Sequence, residues 1–302
     1  MCNARANHAL IATCNRELGG QFDQMMTLVG GRYRLIEQIG TGGASAVWRA
    51  TDELLDRPVA VKLLGPNRQG SEVYREARAA ARLCNPHVST VYDVGQTATG
   101  TAFLVMELID GPALSQRLKL GVLPWRAAVE VCAQVADGLA AVHASGLVHR
   151  DVKPGNVMLA PTGAKLVDFG ISEEIGETAD EAPDGCVVGT PAYVAPERLS
   201  GLPAHPAADV YSLGLLLYRA LTGWLPWNVD SRTAVLRAHL MAEPAPLPPI
   251  DGLPEAAVDL CERCLAKKPE LRPTAKELAD GWTASMPAPM ATLVPPMSSG
   301  TW

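Results

Sequence analysis

The sequence predicts an α+β fold, and three local patterns support that prediction. Residues 59–62, V-A-V-K, are typical of an apolar strand, and residues 103–109 are typical of a buried strand that runs into a Gly-Pro break. Between them, Ser71 can cap a helix that is rich in Ala, Arg and Glu and extends to about Leu83. With 302 residues, 48% of them apolar, the chain can bury one large core or two smaller ones.

Residues 1–31 are predicted to be a flexible extension. They contain Met25 and Met26, which offer an alternative start to Met1, and a short apolar run at residues 9–12. That run is too brief for a signal peptide or a membrane span. The folded domain is therefore expected to begin at residue 32.

A glycine-rich segment follows this extension at residues 40–47, G-T-G-G-A-S-A-V. Backbone without side chains can approach a phosphate closely and offer N–H groups to it. A plain hairpin is the alternative interpretation, because a glycine-rich turn by itself is weak evidence for a phosphate site.

Lys62 ends the first predicted strand, where it would either bind phosphate or simply face solvent. A carboxylate partner would favour the functional interpretation. Glu72 and Glu76 lie four residues apart, which places both on one face of the predicted helix.

The strongest chemical signal is H-R-D-V-K-P-G-N at residues 149–156. Asp151 would accept the proton of an attacking hydroxyl, and Lys153 would stabilise the phosphate during its transfer. Phosphoryl transfer is therefore the chemistry that this segment indicates.

A metal site is predicted from Asn156 and from Asp168, which opens the triplet D-F-G. Their hard oxygen atoms suit Mg²⁺, and the apolar run at residues 165–167 predicts a strand that delivers Asp168. Either triplet, H-R-D or D-F-G, could occur by chance. The presence of both triplets in this order, with Asn156 between them, makes a chance occurrence negligible.

With these motifs in order, the chain resembles the eukaryotic-type (Hanks-type) serine/threonine protein kinase family, bacterial branch, from about Tyr33 to Trp282. The resemblance implies a bilobal fold. A small β-rich N-lobe with one main helix would span residues 32–106, a hinge residues 107–111, and a larger, mostly helical C-lobe residues 112–282.

ATP is implied by the resemblance, together with Mg²⁺ or with Mn²⁺ in its place. Lys62 would hold the α- and β-phosphates, with Glu76 as its partner because N-P-H-V at residues 85–88 follows Glu76 at the family's spacing. The glycine-rich loop departs from the family pattern once. Ser45 replaces its third glycine and Gly43 adds another, so backbone flexibility is shifted.

The adenine pocket is also implied by the resemblance. Met106 would guard its back, the backbones of Glu107 and Ile109 would bond the adenine edge, and Asp110 would reach the ribose. Three apolar side chains would sandwich the base: Val47, Ala60 and Met158. The full set implied to contact the nucleotide is Ile39, Gly40, Thr41, Gly42, Gly43, Ala44, Ser45, Val47, Ala60, Lys62, Met106, Glu107, Ile109, Asp110 and Met158.

Two further contacts that the resemblance implies are structural. Glu197, in the A-P-E triplet at residues 195–197, would form a buried ion pair with Arg272. Asp209 would begin the central helix of the large lobe and bond the backbone of the catalytic loop.

Serine or threonine is the acceptor that the resemblance implies. Lys153 followed by Pro154 is typical of the serine/threonine branch, and Thr190 would lie beside Asp151 and favour a small aliphatic hydroxyl. The bacterial branch is indicated by the loop at residues 42–45 and by a composition rich in Ala, Pro and Arg but poor in Lys.

The implied activity is transfer of the γ-phosphate of Mg-ATP to Ser/Thr hydroxyls of proteins, including this chain itself through a transient homodimer. Two alternatives remain. A catalytically weak signalling scaffold would normally lack Lys62, Asp151 or Asp168, and all three are present. A small-molecule phosphotransferase of this fold would usually lack the A-P-E triplet and the pair of Glu197 with Arg272.

Regulation is predicted at the segment 171–197, which is acidic and contains no Lys or Arg. Thr178 is its candidate switch, because Arg150 could bind the phosphorylated residue. Glu177 or Asp180 could partly occupy Arg150 without a phosphate. The sequence therefore predicts that phosphorylation of Thr178 activates only modestly.

The amino-acid composition restricts the classes of partner and the location that the chain can have. A net charge of −6 argues against nucleic acid, and seven cysteines without a disulfide framework suit a cytoplasmic location. Cys261 and Cys264 form a single C-x-x-C, for which a packed helix face is favoured over zinc. No membrane span is predicted, and residues 283–302, rich in Pro, Met and Ser, are expected to be disordered.

Overall fold

The computed structural model describes most of the chain between Leu28 and Met286. The described ranges are 28–41, 45–65, 73–74, 77–78, 80–168, 191–203, 205–229 and 231–286. Several predicted residues lie outside them, namely Gly42, Gly43, Ala44, Glu76, Thr178 and Thr190.

The N-terminal part is a six-stranded antiparallel sheet in the order β1-β2-β3-β4-β6-β5. Its strands are β1 (Leu28–Val29), β2 (Tyr33–Thr41), β3 (Ser45–Asp52), β4 (Arg57–Leu64), β5 (Val91–Gln96) and β6 (Ala102–Met106). Both strands predicted from the sequence are present, as β4 and β6. The second is shorter than expected because the backbone leaves the sheet after Met106.

A helical stretch lies between β4 and β5, as the sequence predicts. Val73, Ala77 and Ala80 are helical and at most 3% exposed. Their spacing of four and three residues places them on one helix face, which packs in a cluster with the sheet residues Leu104 and Met106.

The C-terminal part is mostly helical. Its helices are α1 (Leu114–Leu118), α2 (Trp125–Ala144), α3 (Pro196–Leu199), α4 (Pro206–Thr222), α5 (Arg232–Met241), α6 (Glu255–Cys264) and α7 (Ala275–Ser285). One hairpin, β7 (Val157–Ala160) with β8 (Gly163–Leu166), completes it. The predicted α+β fold, with a β-rich part followed by a helical part, is therefore confirmed.

Helix α4 forms the centre of the helical part. Pro206 stands at its first turn, and Gly223 ends it in a left-handed conformation with a φ of 89°. Nearly every residue between Ala208 and Thr222 is buried. A helix whose side chains are almost all buried provides a fixed support for the loops that pack on it.

Helix α2 is long and apolar enough to cross a membrane by length and composition, and it alone meets that test within the described ranges. The sequence analysis did not single out this segment. Half of the helix is buried inside the protein, where Val129, Cys132 and Leu139 are fully enclosed. A buried core helix passes the same test, so the finding is weak evidence for a span.

The connection between the two parts passes close to the hairpin. Gly111 has a φ of 152°, and a Cβ atom placed there would lie 2.1 Å from the carbonyl oxygen of Leu159. Only glycine fits this approach. The connection therefore lies directly on β7, which brings it next to Met158.

Candidate active site

The catalytic loop brings three predicted residues into direct contact. Lys153 Nζ lies 2.6 Å from Asp151 Oδ2, and Asn156 Nδ2 donates to both the Asp151 carbonyl and Asp151 Oδ2 at 2.8 Å. The Asp151 side chain remains 46% exposed. A carboxylate that is held by two donors yet open to solvent can receive a proton from a bound hydroxyl.

Asp209 anchors this loop from helix α4. Its carboxylate accepts hydrogen bonds from the backbone N–H groups of His149 and Arg150, both at 2.8 Å, and contacts His143 Nε2 at 2.9 Å. Arg150 has a φ of 72°, which is uncommon for a side chain of its size. The anchor therefore supports a strained backbone immediately before Asp151.

His149 joins the catalytic loop to the strand that carries Asp168. Its Nε2 lies 3.1 Å from the Val167 carbonyl, which can only accept, and its Nδ1 lies 3.3 Å from the Asp151 N–H, which can only donate. These partners require a neutral ring protonated at Nε2. Burial lowers the pKa of His149, which favours the same state. The sequence placed His149 in the motif without showing this role.

Lys62 and Asp168 meet across the two parts of the protein. Lys62 Nζ lies 3.0 Å from Asp168 Oδ1, and the Lys62 side chain is 3% exposed. Asp168 adopts a φ of 59°, so the strand ends in a sharp change of direction. The predicted partner, Glu76, lies outside the described residues. Within those residues, the carboxylate that Lys62 contacts is Asp168.

The strand register groups the predicted adenine residues. Val47 lies opposite Lys62 on neighbouring strands, and Ala60 lies opposite Met106, which is 5% exposed. Met158 forms an isolated bridge with Ala113 just after the connection. Val47, Ala60 and Met106 belong to one apolar cluster of the sheet, and Met158 lies on β7 where the connection reaches the hairpin. Apolar side chains of this kind are typical of the lining of a base site.

The backbone N–H of Glu107 already has a partner within the protein. Its N–H donates to the Thr90 carbonyl at 2.9 Å, so only its carbonyl is left for an adenine edge. Its side chain contacts Lys165 Nζ at 2.5 Å, which ties the connection to β8. No local pattern indicated this pair, because its members are 58 residues apart. Ile109 is half-buried and Asp110 is exposed.

At the edge of the glycine-rich loop, Ile39 is 47% exposed and Ser45 is buried. Gly40 faces Val47, since a Cβ atom placed on Gly40 would lie 3.6 Å from the Val47 side chain. The backbone of Thr41 continues β2, and residues 42–44 are outside the described ranges.

The oxygen atoms that Asn156 and Asp168 offer as ligands fit a magnesium ion. Asn156 Nδ2 donates to two oxygens of Asp151, whereas Asn156 Oδ1 has no hydrogen-bond donor among the described residues and can serve as a ligand. The Asp168 carboxylate is 29% exposed. No group of three or more His, Cys, Asp or Glu ligands occurs among the described residues. A site of one carboxylate and one amide suits Mg²⁺, which takes its other ligands from phosphates and water.

The predicted pair of Glu197 with Arg272 is present and almost fully enclosed. Two parallel contacts of 2.6 and 2.9 Å join the guanidinium to the carboxylate, whose side chains are 0% and 7% exposed. Arg272 also donates to the carbonyls of Ala266, Ala207 and Lys267. Every part of the buried cation therefore has a partner, and α3 is fixed to the segment before α7.

Arg150, the predicted regulatory cation, has a buried Nε without a hydrogen-bond partner in the part of the chain that is described. Thr178 and Thr190 lie outside that part.

Cys261 and Cys264 are fully buried on α6, and burial raises the pKa of both thiols. This position agrees with the packed helix face expected for this C-x-x-C.

We expect Asp209→Asn to lower kcat while leaving ATP affinity almost unchanged. The amide would keep one acceptor but lose the charge that holds the His149 and Arg150 N–H groups, whereas Lys62 and Asp168 are untouched. Weakening hydrogen bonds to a buried charged group costs about 1–3 kcal/mol, so the melting temperature should also fall. Steady-state kinetics and thermal unfolding test this. A variant with wild-type kcat would show that the anchor does not position Asp151.

Comparison with known proteins identifies the family. The model of the protein kinase domain matches residues 33–282, and the chain therefore belongs to the protein kinase domain family. The fold agrees with this. The crystal structure of Rad53 residues 1–466 in complex with AMP-PNP superposes with a TM-score of 0.66 and 24% identity, covering 83% of this chain and 65% of that one.

Bacterial serine/threonine-protein kinases are among its relatives. PknA of Mycobacterium tuberculosis strain H37Rv is 43% identical over 253 residues, and PknL of the same strain is 40% identical over 250. Drp72 of Corynebacterium efficiens is 38% identical over 269 residues. The alignments cover 80–85% of this chain but only 50–62% of these relatives. The chain thus spans about half to three fifths of the length of these relatives. Because these relatives are bacterial serine/threonine-protein kinases, the predicted bacterial branch is confirmed.

Proposed function

We propose that this chain is a serine/threonine protein kinase domain that transfers the γ-phosphate of Mg-ATP to Ser/Thr hydroxyls of proteins. The observation that carries the proposal is the cluster of Asp151, Lys153 and Asn156, held by Asp209 and joined through His149 to the strand that bears Asp168. The names of PknA, PknL and Drp72 support the acceptor class.

Asp151 orients the acceptor hydroxyl and accepts its proton. The Lys153 ammonium, 2.6 Å away, stabilises negative charge that develops on the transferred phosphate. Asn156 fixes the carboxylate through Nδ2. Because the three side chains contact one another directly, a change in any one of them alters the position of the others.

Lys62 would hold the α- and β-phosphates of ATP. Asp168 and Asn156 Oδ1 would hold Mg²⁺, which would supply positive charge to neutralise the phosphates of ATP. Mn²⁺ suits the same ligands. Val47, Ala60 and Met158 are proposed to sandwich the adenine, with Met106 behind it and the Glu107 carbonyl at its edge. Rad53, which shares the fold, was crystallised in complex with AMP-PNP, an ATP analogue.

Autophosphorylation through a transient homodimer and a cytoplasmic location are proposed together with this activity. ATP is the phosphate donor of the cytoplasm, and the four described cysteines are free thiols, which suits a reducing compartment. Thr178 is proposed as the autophosphorylation site, with Arg150 as the group that binds its phosphate.

Incubation with γ-labelled ATP, Mg²⁺ and a generic protein substrate, followed by phosphoamino-acid analysis, tests the proposed function. We expect label on phosphoserine and phosphothreonine and none on phosphotyrosine. The matched control is Lys62→Met, which should lose nearly all transfer because the phosphates lose their cation. Nucleotide binding without transfer under any condition would instead support the alternative of a signalling scaffold.

Thr178→Ala should retain a substantial fraction of wild-type activity, while Arg150→Ala should lose more. The reason is that Glu177 or Asp180 can partly replace the phosphate at Arg150, whose Nε has no partner among the described residues. Initial rates of peptide phosphorylation compare the two variants. An inactive Thr178→Ala protein would show that the phosphate is indispensable.

A further inference from the structure

One face of helix α4 connects the catalytic loop to the segment at residues 191–197. Asp209, near the start of the helix, binds the backbone of the catalytic loop. Ser212 donates its hydroxyl to the Tyr193 carbonyl at 2.6 Å, and Arg219 Nη1 donates to Tyr193 Oη at 2.9 Å. Steps of three and seven residues keep these three side chains on one face of the helix.

Arg219 forms no ion pair with a carboxylate in the ranges that the structure describes; its hydrogen-bond partner there is the Tyr193 hydroxyl. A guanidinium has five N–H donors, so most of those of Arg219 are not used by any residue that the structure describes. Burial raises the pKa of Tyr193, and this phenol therefore stays protonated and supplies no negative charge. The charge of Arg219 is not neutralised by its neighbour.

The side chain of Arg219 is accessible to solvent and therefore to a bound peptide. Its side chain is half-buried, whereas Tyr193 beneath it is 5% exposed. A half-buried cation in a low-dielectric setting attracts a carboxylate more strongly than an exposed one does. Its bidentate geometry also matches a carboxylate better than a neutral amide.

We propose that Arg219 selects protein substrates that carry an acidic residue near the Ser or Thr that is phosphorylated. This inference rests on the proposed kinase function. It assigns a specificity-determining residue at the acceptor side of the site, distinct from the groups that bind ATP.

The geometry of α4 sets the distance between Arg219 and the catalytic loop. Ten residues separate Asp209 from Arg219, which corresponds to about 15 Å along the helix axis. The side chain of a helical residue leans toward the helix N-terminus, here toward Asp209 and the catalytic loop, which shortens that distance by several ångströms. An extended substrate advances about 3.3 Å per residue. The acidic residue is therefore placed about two to four residues from the acceptor.

A set of synthetic peptides tests this inference. Each has one Thr in a Gly/Ala background and a single Glu, Gln or Lys at one position up to four residues before or after it, and kcat/KM is measured for each. For the wild-type protein, Glu should be preferred over Gln at one or two positions by about tenfold or more, the usual size of a charge-assisted hydrogen bond.

Two substitutions should change the preference in different ways. Arg219→Met should abolish the preference for Glu, and Arg219→Glu should invert it toward Lys. A purely structural role of Arg219 could lower all rates but could not invert a preference. Arg263→Glu is the matched control, because Arg263 is a half-exposed arginine on α6, paired at 3.6 Å with Asp259, and the substitution makes the same change in charge.

The possible outcomes distinguish the proposed role of Arg219 from the proposed kinase function. Transfer to the peptides without a preference for Glu, or with a preference that Arg219→Glu leaves unchanged, would overturn the role of Arg219 and leave the kinase function standing. Transfer to none of the peptides or proteins would overturn the kinase function, and this inference with it. If Arg219→Glu fails to fold, the ratio measured for Arg219→Met decides.

Discussion

Asp168→Asn is expected to reduce phosphoryl transfer by at least about a hundredfold while leaving the fold intact. The Asp168 carboxylate contacts Lys62 Nζ at 3.0 Å and is 29% exposed, so its role is electrostatic rather than one of packing. Asparagine keeps the shape but loses the only carboxylate of the proposed magnesium site, and with it the negative charge that faces Lys62. Initial rates at saturating Mg-ATP, with a thermal melt for the fold, measure both parts of this prediction.

Asp251→Asn is the matched control for this variant. Asp251 is exposed in a turn before α6, and it belongs to none of the contacts that build the site. It should have wild-type rates. If Asp168→Asn also transferred phosphate at close to the wild-type rate, the assignment of Asp168 as a magnesium ligand would be wrong.

Arg272→Ala should cause the largest loss of stability. The substitution leaves the Glu197 carboxylate buried at 7% exposure without its partner, and it also frees three backbone carbonyls. Breaking one half of a buried pair costs about 3–5 kcal/mol. For a domain of this size, such a loss lowers the melting temperature by roughly 6 to 20 °C.

Lys276→Ala serves as the comparison for Arg272→Ala. Lys276 and Asp280 form an ion pair on the surface of α7, with side chains that are 69% and 63% exposed. Exposed pairs of this kind contribute less than about 1 kcal/mol. The melting temperature of Lys276→Ala should therefore stay within a few degrees of wild type. Equal shifts for the two variants would contradict the buried pair as a stabilising contact.

The catalytic loop could be predicted from the sequence because its geometry is local. Asp151, Lys153 and Asn156 lie within six residues, and the turn that holds them follows from Pro154 and Gly155. The fold class was predictable for a similar reason, since apolar strands and an amphipathic helix leave periodic patterns. Both follow from chemistry that short segments carry by themselves.

Contacts between distant segments could not be predicted in this way. Glu107 meets Lys165, and Tyr193 meets Arg219, only because the packing of α4 and β8 brings them together. In the sequence, Arg219 only interrupts the apolar stretch of α4. The Glu197 and Arg272 pair was expected only because the family resemblance supplied the partner, and Glu76 lies outside the residues that the structure describes.

The most direct test of the proposed mechanism compares the wild-type protein with Asp151→Asn in a single turnover. Both are first saturated with Mg-ATP labelled in the γ-phosphate, then mixed with a Ser/Thr acceptor. We expect similar ATP affinity and transfer that is about 10²–10⁴ times slower in the variant, because the proton acceptor is lost while Lys62 and Asp168 are unchanged. Equal transfer rates in the two proteins would contradict the assignment of Asp151 and the mechanism that depends on it.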